Sequence, residues 1–314
     1  ILGTHKITHP LRYTALLDDS QASSGDGLVP PPGLCSGNLP VLLEGSLLSS
    51  LVMANHPFGE VSADSKYKER HPVRSMLSIV AVVIDNEKVT ERFISSIRQY
   101  TAGKYELVLI DNASKNRSAI SLVKKSADNS YRFHKRVSLS KAWNKGIKLA
   151  KGEYVAVVNN DTIVPPNWNN PLIETLKKNK KAGMVHPMTH NLTKGFFLYS
   201  NLQNFDKTFS KPFKLAKFKD IVWGEFMVFK KEALNKVGGF DEQYNIASGE
   251  DLEMNFQLYQ NGYSIYVDPR VFVYHQGGAS QVKRILSPKK RDRQWKENFE
   301  LFKSHWPKYT KGWK

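Results

Sequence analysis

Cysteine is almost absent from this chain: Cys35 is the only one in 314 residues, so no disulfide can form within it. Long apolar runs are missing too. The longest, residues 41–54, is interrupted by Glu44 and Gly45 and is shorter than the roughly 20 residues of a membrane-spanning helix. No basic segment leads into an apolar run with a cleavage site, as a signal peptide requires. These absences favour a globular protein of a reducing compartment, and we expect a cytoplasmic location.

Acidic residues are scarce beside basic ones, since 29 Asp and Glu face 46 Lys and Arg, a net charge of +17. The excess is uneven. Residues 1–75 hold 6 basic and 7 acidic residues, and the rest of the chain holds 40 and 22, or +18. Such a surface suits nucleic acid, anionic lipid headgroups or an anionic glycan, although a solvated lysine-rich surface explains the charge equally well.

The chain divides by pattern into three parts. Residues 1–75 contain prolines, glycines and serines without a lasting period, which predicts a poorly ordered leader or a segment foreign to the natural chain. At most a short helix is expected over residues 42–53. Met76 directly precedes the first strong strand. We predict a folded domain over residues 76–280 and a basic helical tail over residues 281–314.

Buried strands alternate with amphipathic helices from residue 77 onwards. Strands are predicted at 77–84, 105–110, 153–158 and 183–186, and helices at 89–100, 118–126, 139–150 and 168–178. The second half predicts a basic loop at 207–219, strands at 221–229 and 271–274, and helices at 231–236, 250–260 and 287–305. The alternation indicates an α/β fold with a doubly wound, mostly parallel sheet flanked by helices.

Three successive strands end in polar or acidic residues. Ligands of such sheets bind beyond the carboxyl ends of the strands, so these three ends should line one crevice. The side chains concerned are Asp85, Asn86, Glu87, Asp111, Asn112, Asn159, Asn160 and Asp161.

Individually, these residues admit both functional and structural interpretations. Asp161 could hold a divalent cation that bridges a diphosphate, whereas Asn and Asp are also turn formers. Asp111 could accept hydrogen bonds from a base or ribose, or simply cap a turn. Glu250 and Asp251 open a helix, where capping competes with a role as general base. His275 could be a metal ligand or a phosphate contact, or a structural histidine.

Taken together, the motifs resemble those of glycosyltransferase family 2, whose members have the GT-A fold. Their order and spacing over roughly residues 76–280 carry the resemblance. The matching stretches are LSIVAVVI (77–84), LVLIDNAS (107–114), SKAWNKGIKLAKGEYVAVVNNDTIVPPNW (140–168), VGGFDEQY (237–244), GEDLEMNFQLYQNGY (249–263) and VFVYHQGG (271–278).

The resemblance implies an enzyme and gives its residues roles. It implies a catalytic base at Asp251 with Glu250 beside it, and a Mn²⁺ or Mg²⁺ site formed by Asp161, Asn159 and His275. The remaining positions face the donor nucleotide: Asp85, Glu87, Asp111, Asn112, Lys141 and Asn160. It further implies a smaller acceptor-side region after the sheet. The reaction would be a metal-dependent single displacement from a nucleoside diphosphate sugar, UDP- or dTDP-linked, with inversion.

This sequence departs from the family pattern at two places that concern the donor. Ile84-Asp85-Asn86-Glu87 replaces the usual Pro-x-Tyr-Asn at the first strand end, and Gln257 stands where an arginine is common. In addition, Asn159 occupies the position of the first aspartate of the metal motif. These departures bear on the choice of sugar and on diphosphate contacts rather than on the fold.

The acceptor is left open by the residues. We expect an anionic or membrane-associated glycan, as in polysaccharide biosynthesis, because the domain is strongly basic. The tail helix, with Trp295, could lie peripherally on the inner face of an anionic membrane. Two alternatives remain: a transferase acting on modified DNA bases, and a non-catalytic nucleic-acid-binding protein on a transferase scaffold.

Overall fold

The computed structural model describes residues 76–189, 211–218, 220–246, 248–276 and 286–312. All of these lie in one compact unit, Pro72–Trp313. The predicted leader over residues 1–75, including its short helix, lies outside the described residues. So do residues 207–210 and 219 of the predicted basic loop and the two glycines that follow Gln276.

The first half of the unit alternates strands and helices as expected. The strands are β1 (Leu77–Val83), β2 (Tyr105–Asn112), β3 (Asn129–Phe133) and β4 (Tyr154–Asn159), and the helices are α1 (Glu87–Tyr100), α2 (Arg117–Ser126) and α3 (Leu139–Leu149). The strands lie in the order β3-β2-β1-β4, and every neighbouring pair is parallel. Their carboxyl ends therefore meet at one edge, which we call the crevice edge.

The second half extends the same sheet with mixed pairing. It contains β5 (Thr162–Ile163), α4 (Asn169–Lys178), β6 (Ala182–Thr189), β7 (Phe213–Lys214), β8 (Phe226–Lys230), α5 (Lys231–Val237), α6 (Glu250–Gln260), β9 (Ser264–His275), α7 (Pro288–His305) and α8 (Pro307–Thr310). The order continues β4-β8-β6-β9-β5, and β7 pairs with β9. β8 is antiparallel to β4 and β6, so the beginning of β8 lies beside the end of β4 at the crevice edge.

The sheet is buried on both faces, which explains why its central strands are continuously apolar. In β1, alternate residues enter two separate cores: Val80 and Val82 pack into one, and Ile79 and Ala81 into the other. The first core also takes residues from α3, α5 and α6, and the second takes residues from α1 and α4. The predicted α/β fold with helices on both faces is confirmed.

The tail forms a third, smaller apolar cluster. Phe302 of α7 packs against Phe256 of α6 and Tyr244, with Phe299 and Trp306 at its border. One face of the basic tail helix is thus covered by the domain. None of the helices in the described part of the chain is long and apolar enough to cross a membrane.

Some boundaries differ from the sequence-based prediction. The strand predicted at 221–229 begins only at Phe226, and residues 221–225 form a loop. The strand predicted at 271–274 is the end of β9, which begins at Ser264. β3 was not predicted, because it is an edge strand with largely exposed side chains and no apolar alternation. The two-residue β5 is too short to leave a pattern.

Candidate active site

At the crevice edge, hydrogen bonds join the end of β1 to the loop after β2. Asp85 and Asn86 both adopt left-handed backbone conformations, with φ of 50° and 51°. The Asp85 carboxylate Oδ1 accepts from the backbone N–H groups of Lys115 (2.6 Å) and Asn116 (2.7 Å), and its own N–H donates to Ser114 Oγ (2.8 Å). The Asp85 side chain therefore shapes this end of the crevice.

The two residues at the end of β2 are held from the side of β3 and α3. Asp111 is 1% exposed; it accepts from Ser114 N–H at 2.8 Å and forms an ion pair with Arg132 at 2.8 Å. Arg132, whose side chain is 41% exposed, thus stands between Asp111 and solvent. The amide of Asn112 exchanges two 2.9 Å hydrogen bonds with the backbone of Val137. Arg132 was not a predicted site residue, because β3, the strand that carries it, was not predicted.

The end of β4 carries the predicted metal motif. Asp161 is 6% exposed, and its Oδ1 lies 3.0 Å from Nε2 of His275, at the end of β9. The neighbouring Asn160 donates its amide to Thr90 Oγ1 at 2.8 Å. Burial works to lower the pKa of His275, but the hydrogen bond and charge of Asp161, with the charge of Glu225, raise it. Two side chains more than 100 positions apart in the sequence thus meet at this edge.

Asp161 has the features of a cation ligand. Its second oxygen, Oδ2, is buried and accepts no hydrogen bond from the described residues. An unpaired buried carboxylate oxygen is costly unless a ligand or ion satisfies it. Oxygen-rich sites of this kind suit Mg²⁺ or Mn²⁺, so the residues present fit the predicted metal. Asn159 is half-buried beside it.

The predicted base lies at the start of α6. Gly249, with φ of 96°, turns the chain into the helix, and Glu250 and Asp251 form its first turn. Asp251 is 9% exposed, and its two oxygens accept from the N–H groups of Leu252 (2.8 Å) and Gly224 (2.9 Å). Burial raises the pKa of Asp251 despite these bonds, and the charge of Glu225 raises it further.

Glu250 differs from its neighbour in having an unpaired oxygen. Its Oε2 is buried and accepts no hydrogen bond within the described residues. Burial, together with the charge of Asp251, raises the pKa of Glu250. Perturbed carboxyl pairs of this kind are typical of catalytic sites, although structural ion networks produce them as well.

A short loop, residues 222–225, connects the metal motif to the base. The Glu225 carbonyl accepts from Asn159 N–H at 2.9 Å, and the preceding Gly224 N–H donates to Asp251. Glu225 is itself buried, and its carboxylate accepts from Thr189 Oγ1 at 2.7 Å. The apolar pattern predicted a strand over this segment, so Gly224 and Glu225 were not among the predicted site residues. The only signal was an acidic residue within an otherwise apolar run.

Two further residues predicted to face the donor lie in the first turns of helices. Glu87 lies half-buried in the first turn of α1. Lys141 lies exposed in the first turn of α3, where its N–H donates to Ser138. Both helices begin at the crevice edge because each follows a strand that ends there.

A second group with metal-ligand chemistry lies away from the predicted set. Asp241, Glu253 and His305 bring one ligand atom each within 4.8 Å of one another. However, Glu253 Oε2 already accepts from Tyr244 OH at 2.9 Å and Trp306 Nε1 at 2.8 Å. We therefore regard this group as a hydrogen-bonded support for the tail and favour Asp161 as the cation ligand.

Comparison with known families agrees with this architecture. Residues 78–238, half of the chain, match the model of Glycosyl transferase family 2. The chain therefore belongs to this family and contains a glycosyltransferase domain, as the motifs predicted.

Curated relatives are distant and longer. The chain is 24% identical over 217 residues to the poly-beta-1,6-N-acetyl-D-glucosamine synthase of Staphylococcus epidermidis, covering 66% of this chain and 51% of the synthase. It is 25% identical over 238 residues to the chondroitin synthase of Pasteurella multocida, covering 64% and 24% respectively. The chain thus spans about half the length of the first relative and about a quarter of the second.

Solved structures share the fold. GalNAc-T7 with UDP, GalNAc and Mn²⁺ superposes with a TM-score of 0.54 at 18% identity, covering 92% of this chain and 65% of that one. The mannosyltransferase PcManGT of Pyrobaculum calidifontis, in complex with GDP-Man and Mn²⁺, gives 0.50 at 18% identity, covering 70% and 65%. The GT-A fold predicted from the motifs is confirmed.

Proposed function

We propose that this protein transfers a sugar from a nucleoside diphosphate sugar to a hydroxyl of a glycan acceptor, with a divalent cation. One observation carries the proposal. Two buried carboxylates, Asp161 and Asp251, are linked through the loop 222–225. The Glu225 carbonyl accepts from the N–H of Asn159, two residues before Asp161, and the Gly224 N–H donates to Asp251. The charge of Glu225 also acts on both Asp251 and His275. A cation site and a base so close together suit a displacement at an anomeric carbon.

The donor lies along the ends of β1, β2 and β4 in this proposal. Asp161, Asn159 and His275 would hold Mn²⁺ or Mg²⁺, and a bound ion would supply positive charge to the leaving diphosphate. Both structural neighbours were solved with Mn²⁺ and a nucleotide, which supports this arrangement. The nucleotide, UDP or dTDP, contacts the surface shaped by Asp85 and by the pair Asp111–Arg132. Asn112, Asn160, Glu87 and Lys141 border it.

Asp251 removes the proton from the acceptor hydroxyl. Its position in the first turn of α6 fixes the carboxylate, and a raised pKa makes it a stronger base than an exposed aspartate. The acceptor oxygen then attacks the anomeric carbon from the face opposite the diphosphate. The bond from the anomeric carbon to the diphosphate oxygen breaks, the diphosphate leaves with that electron pair, and the configuration of the anomeric carbon is inverted. Glu250 keeps its proton in this proposal, because burial and the charge of Asp251 raise its pKa, and Asp251 is left deprotonated.

The acceptor is an anionic or membrane-associated glycan. The net charge of +18 beyond residue 75 supports an anionic partner, and the curated relatives are named as polysaccharide synthases. We further propose that residues 76–280 are the catalytic domain. The tail from residue 281 would contact an anionic membrane from the cytoplasmic side through its uncovered basic face, which includes Lys289, Lys290 and Lys296.

Donor binding and hydrolysis test the proposal directly. Wild-type protein is screened by thermal shift with UDP-, GDP- and dTDP-sugars, with and without Mn²⁺, and nucleoside diphosphate release is measured. We expect one nucleotide to stabilise the protein only with Mn²⁺. Asp161→Ala should lose this stabilisation, and Asp251→Asn should keep it while turnover falls by about 10²–10⁴-fold.

The matched control is Asp292→Asn, an exposed acid-to-amide change on α7, which should behave as wild type. Absence of stabilisation by every nucleotide sugar would contradict the proposal. If DNA then bound with a steep dependence on salt, the nucleic-acid-binding alternative would replace it.

A further inference from the structure

Trp223 is an unusual residue for its surroundings. Its side chain is 42% exposed, and it is one of two large hydrophobic residues exposed among those that the structure describes; the other is Tyr131. Both flanking residues, Val222 and Gly224, lie against buried structure. Leaving an indole in water forgoes about 25 cal/mol for each Å² that burial would cover. Trp223 is therefore an exposed tryptophan whose two neighbours in the chain are anchored to the protein interior, and it is a candidate for contact with a ligand.

The backbone around Trp223 is fixed to helix α6 on both sides. The side-chain amide of Asn255 accepts from Val222 N–H at 3.2 Å and donates to the Val222 carbonyl at 3.0 Å. One helical turn earlier, Asp251 accepts from Gly224 N–H at 2.9 Å. The same Asn255 amide also donates to the Asp251 carbonyl at 2.6 Å. Trp223 is thus positioned by the helix that carries the proposed base.

A side chain at Gly224 would not fit without displacing its neighbours. A Cβ added there would lie 3.2 Å from both Asp251 Cβ and Trp143 Cη2. These contacts are tighter than ordinary van der Waals distances, so the chain next to Trp223 fits closely against the base and the core. Rigid support of this kind lowers the entropy cost of binding a ligand to the indole.

The position of Trp223 relative to the strands indicates which part of the substrate it would contact. The order β2-β1-β4-β8 places the proposed nucleotide contacts of Asp111 at one end and the cation ligand Asp161 in the middle. Trp223 precedes β8, beyond β4, on the side away from β2. A ring that contacts Trp223 therefore lies past the diphosphate, next to Asp251, where the acceptor hydroxyl must be.

We propose that Trp223 is the stacking surface for a pyranose ring of the acceptor glycan. The C–H groups on one face of a pyranose carry partial positive charge and are attracted to the negative face of the indole. Stacking next to Asp251 would hold the acceptor ring so that its hydroxyl reaches the carboxylate. The inference rests on the proposed function and specifies its acceptor side: a sugar ring, bound through its apolar face.

The experiment measures oligosaccharide binding by isothermal titration calorimetry in the presence of UDP and Mn²⁺. The probes are a β-1,6-linked N-acetylglucosamine hexasaccharide, a chondroitin hexasaccharide and a single-stranded DNA oligonucleotide. Wild type, Trp223→Ala, Trp223→Tyr and Tyr131→Ala are compared. Tyr131→Ala is the matched control, because it removes the other exposed aromatic side chain from β3.

We expect at least one hexasaccharide to bind the wild-type protein with measurable heat. Trp223→Ala should bind it about tenfold or more weakly, and Trp223→Tyr should fall in between. Tyr131→Ala should bind as wild type. Equal affinity of Trp223→Ala and wild type would overturn the proposal, as would failure of both hexasaccharides to bind wild type. DNA binding that depends on Trp223 would also overturn it, since the stacked ring would then be a base.

Failure of the proposed function has a different signature. Wild-type protein would then show no Mn²⁺-dependent stabilisation by any nucleotide sugar, whatever the hexasaccharides do. Loss of binding through misfolding of Trp223→Ala is recognised by its response to UDP, because a folded variant keeps the Mn²⁺-dependent thermal shift. The Trp223→Tyr variant keeps an aromatic ring and so provides a second, less disruptive comparison.

Discussion

Glu253 is a buried carboxylate on which the position of the tail depends, and its removal gives a sharp test of the structure. It lies two residues after Asp251 on α6 and is 3% exposed. Its Oε2 accepts from Tyr244 OH (2.9 Å), from Trp306 Nε1 (2.8 Å) and, at 3.3 Å, faces Nδ1 of His305. Glu253→Ala would leave these groups without their acceptor.

The size of the effect follows from the number of groups affected. A buried donor without an acceptor costs about 1–3 kcal/mol, and Tyr244 and Trp306 each provide one. We therefore expect Glu253→Ala to lower the free energy of unfolding by about 2–5 kcal/mol. For a domain of this size, each kcal/mol lowers Tm by about 2–4 °C, so Tm should fall by roughly 4–20 °C.

Glu253→Gln is the informative comparison. A glutamine oxygen in the place of Oε2 still accepts from Tyr244 and Trp306. In the wild type, the Gln257 amide donates to Glu253 Oε1, and Gln257 Oε1 is buried without a hydrogen-bond partner within the described residues. If the Gln257 amide rotates by about 180°, its oxygen can accept from the new NH₂ group of the variant. We expect this variant to lose only about 1 kcal/mol.

Thermal unfolding and limited proteolysis of the tail measure these changes. Glu253→Ala should expose the junction of α7 and α8 to cleavage, because Trp306 and His305 lose their partner. Glu297→Ala, which breaks an exposed pair with Arg293 on the same helix, should cost less than about 1 kcal/mol. If Glu253→Ala unfolded at the wild-type temperature, the account of how the tail is held would be wrong.

Two further predictions concern titration and donor binding. Burial and the charge of Asp251 raise the pKa of Glu250, so the contribution of Glu250 to stability is fully present below the ordinary glutamate pKa of about 4.3 and is lost as pH rises through the raised value. Glu250→Gln should thus unfold at a higher temperature than wild type at pH 8, by about 1–3 kcal/mol, and the difference should shrink towards pH 5; a constant difference would contradict this. Arg132→Ala should weaken UDP binding about tenfold, measured by calorimetry with Mn²⁺, because the guanidinium paired with Asp111 is lost. The ion pair is partly exposed, so the same variant should lose only about 1 kcal/mol of stability. An unchanged affinity for UDP would show that Arg132 is not part of the nucleotide site.

Most of the fold was predictable because its central strands are buried on both faces. Runs such as Leu77–Val83 and Tyr154–Asn159 are almost wholly apolar, and the helices between them have clear amphipathic spacing. α6 was predicted at its observed bounds, Glu250–Gln260. β3 could not be found in this way, because its side chains are mostly exposed and its stability comes from pairing with β2.

The candidate site was predictable only as a set of strand ends. Parallel strands bring their carboxyl ends together, so Asp85, Asp111 and Asp161 could be assigned to one edge from the sequence. The partners of these residues could not. Arg132 reaches Asp111 through the register of an unpredicted strand, and Glu225 meets Asn159 through antiparallel pairing of β8. Such pairings depend on the tertiary arrangement and leave no periodic signal in the sequence.

The loop 222–225 shows why a wrong secondary-structure prediction can coincide with a functional position. An apolar run of this kind is expected to continue as a strand, and residues 221–225 do not. What prevents the strand is the hydrogen bonding of α6: Asn255 takes both backbone groups of Val222, and Asp251 takes Gly224 N–H. Those groups are then unavailable to a sheet ladder. The side chains that stop β8 from extending are therefore the same ones that place Trp223 and Glu225 beside the proposed base. A mutation of Asn255 would act on both the strand boundary and the acceptor side.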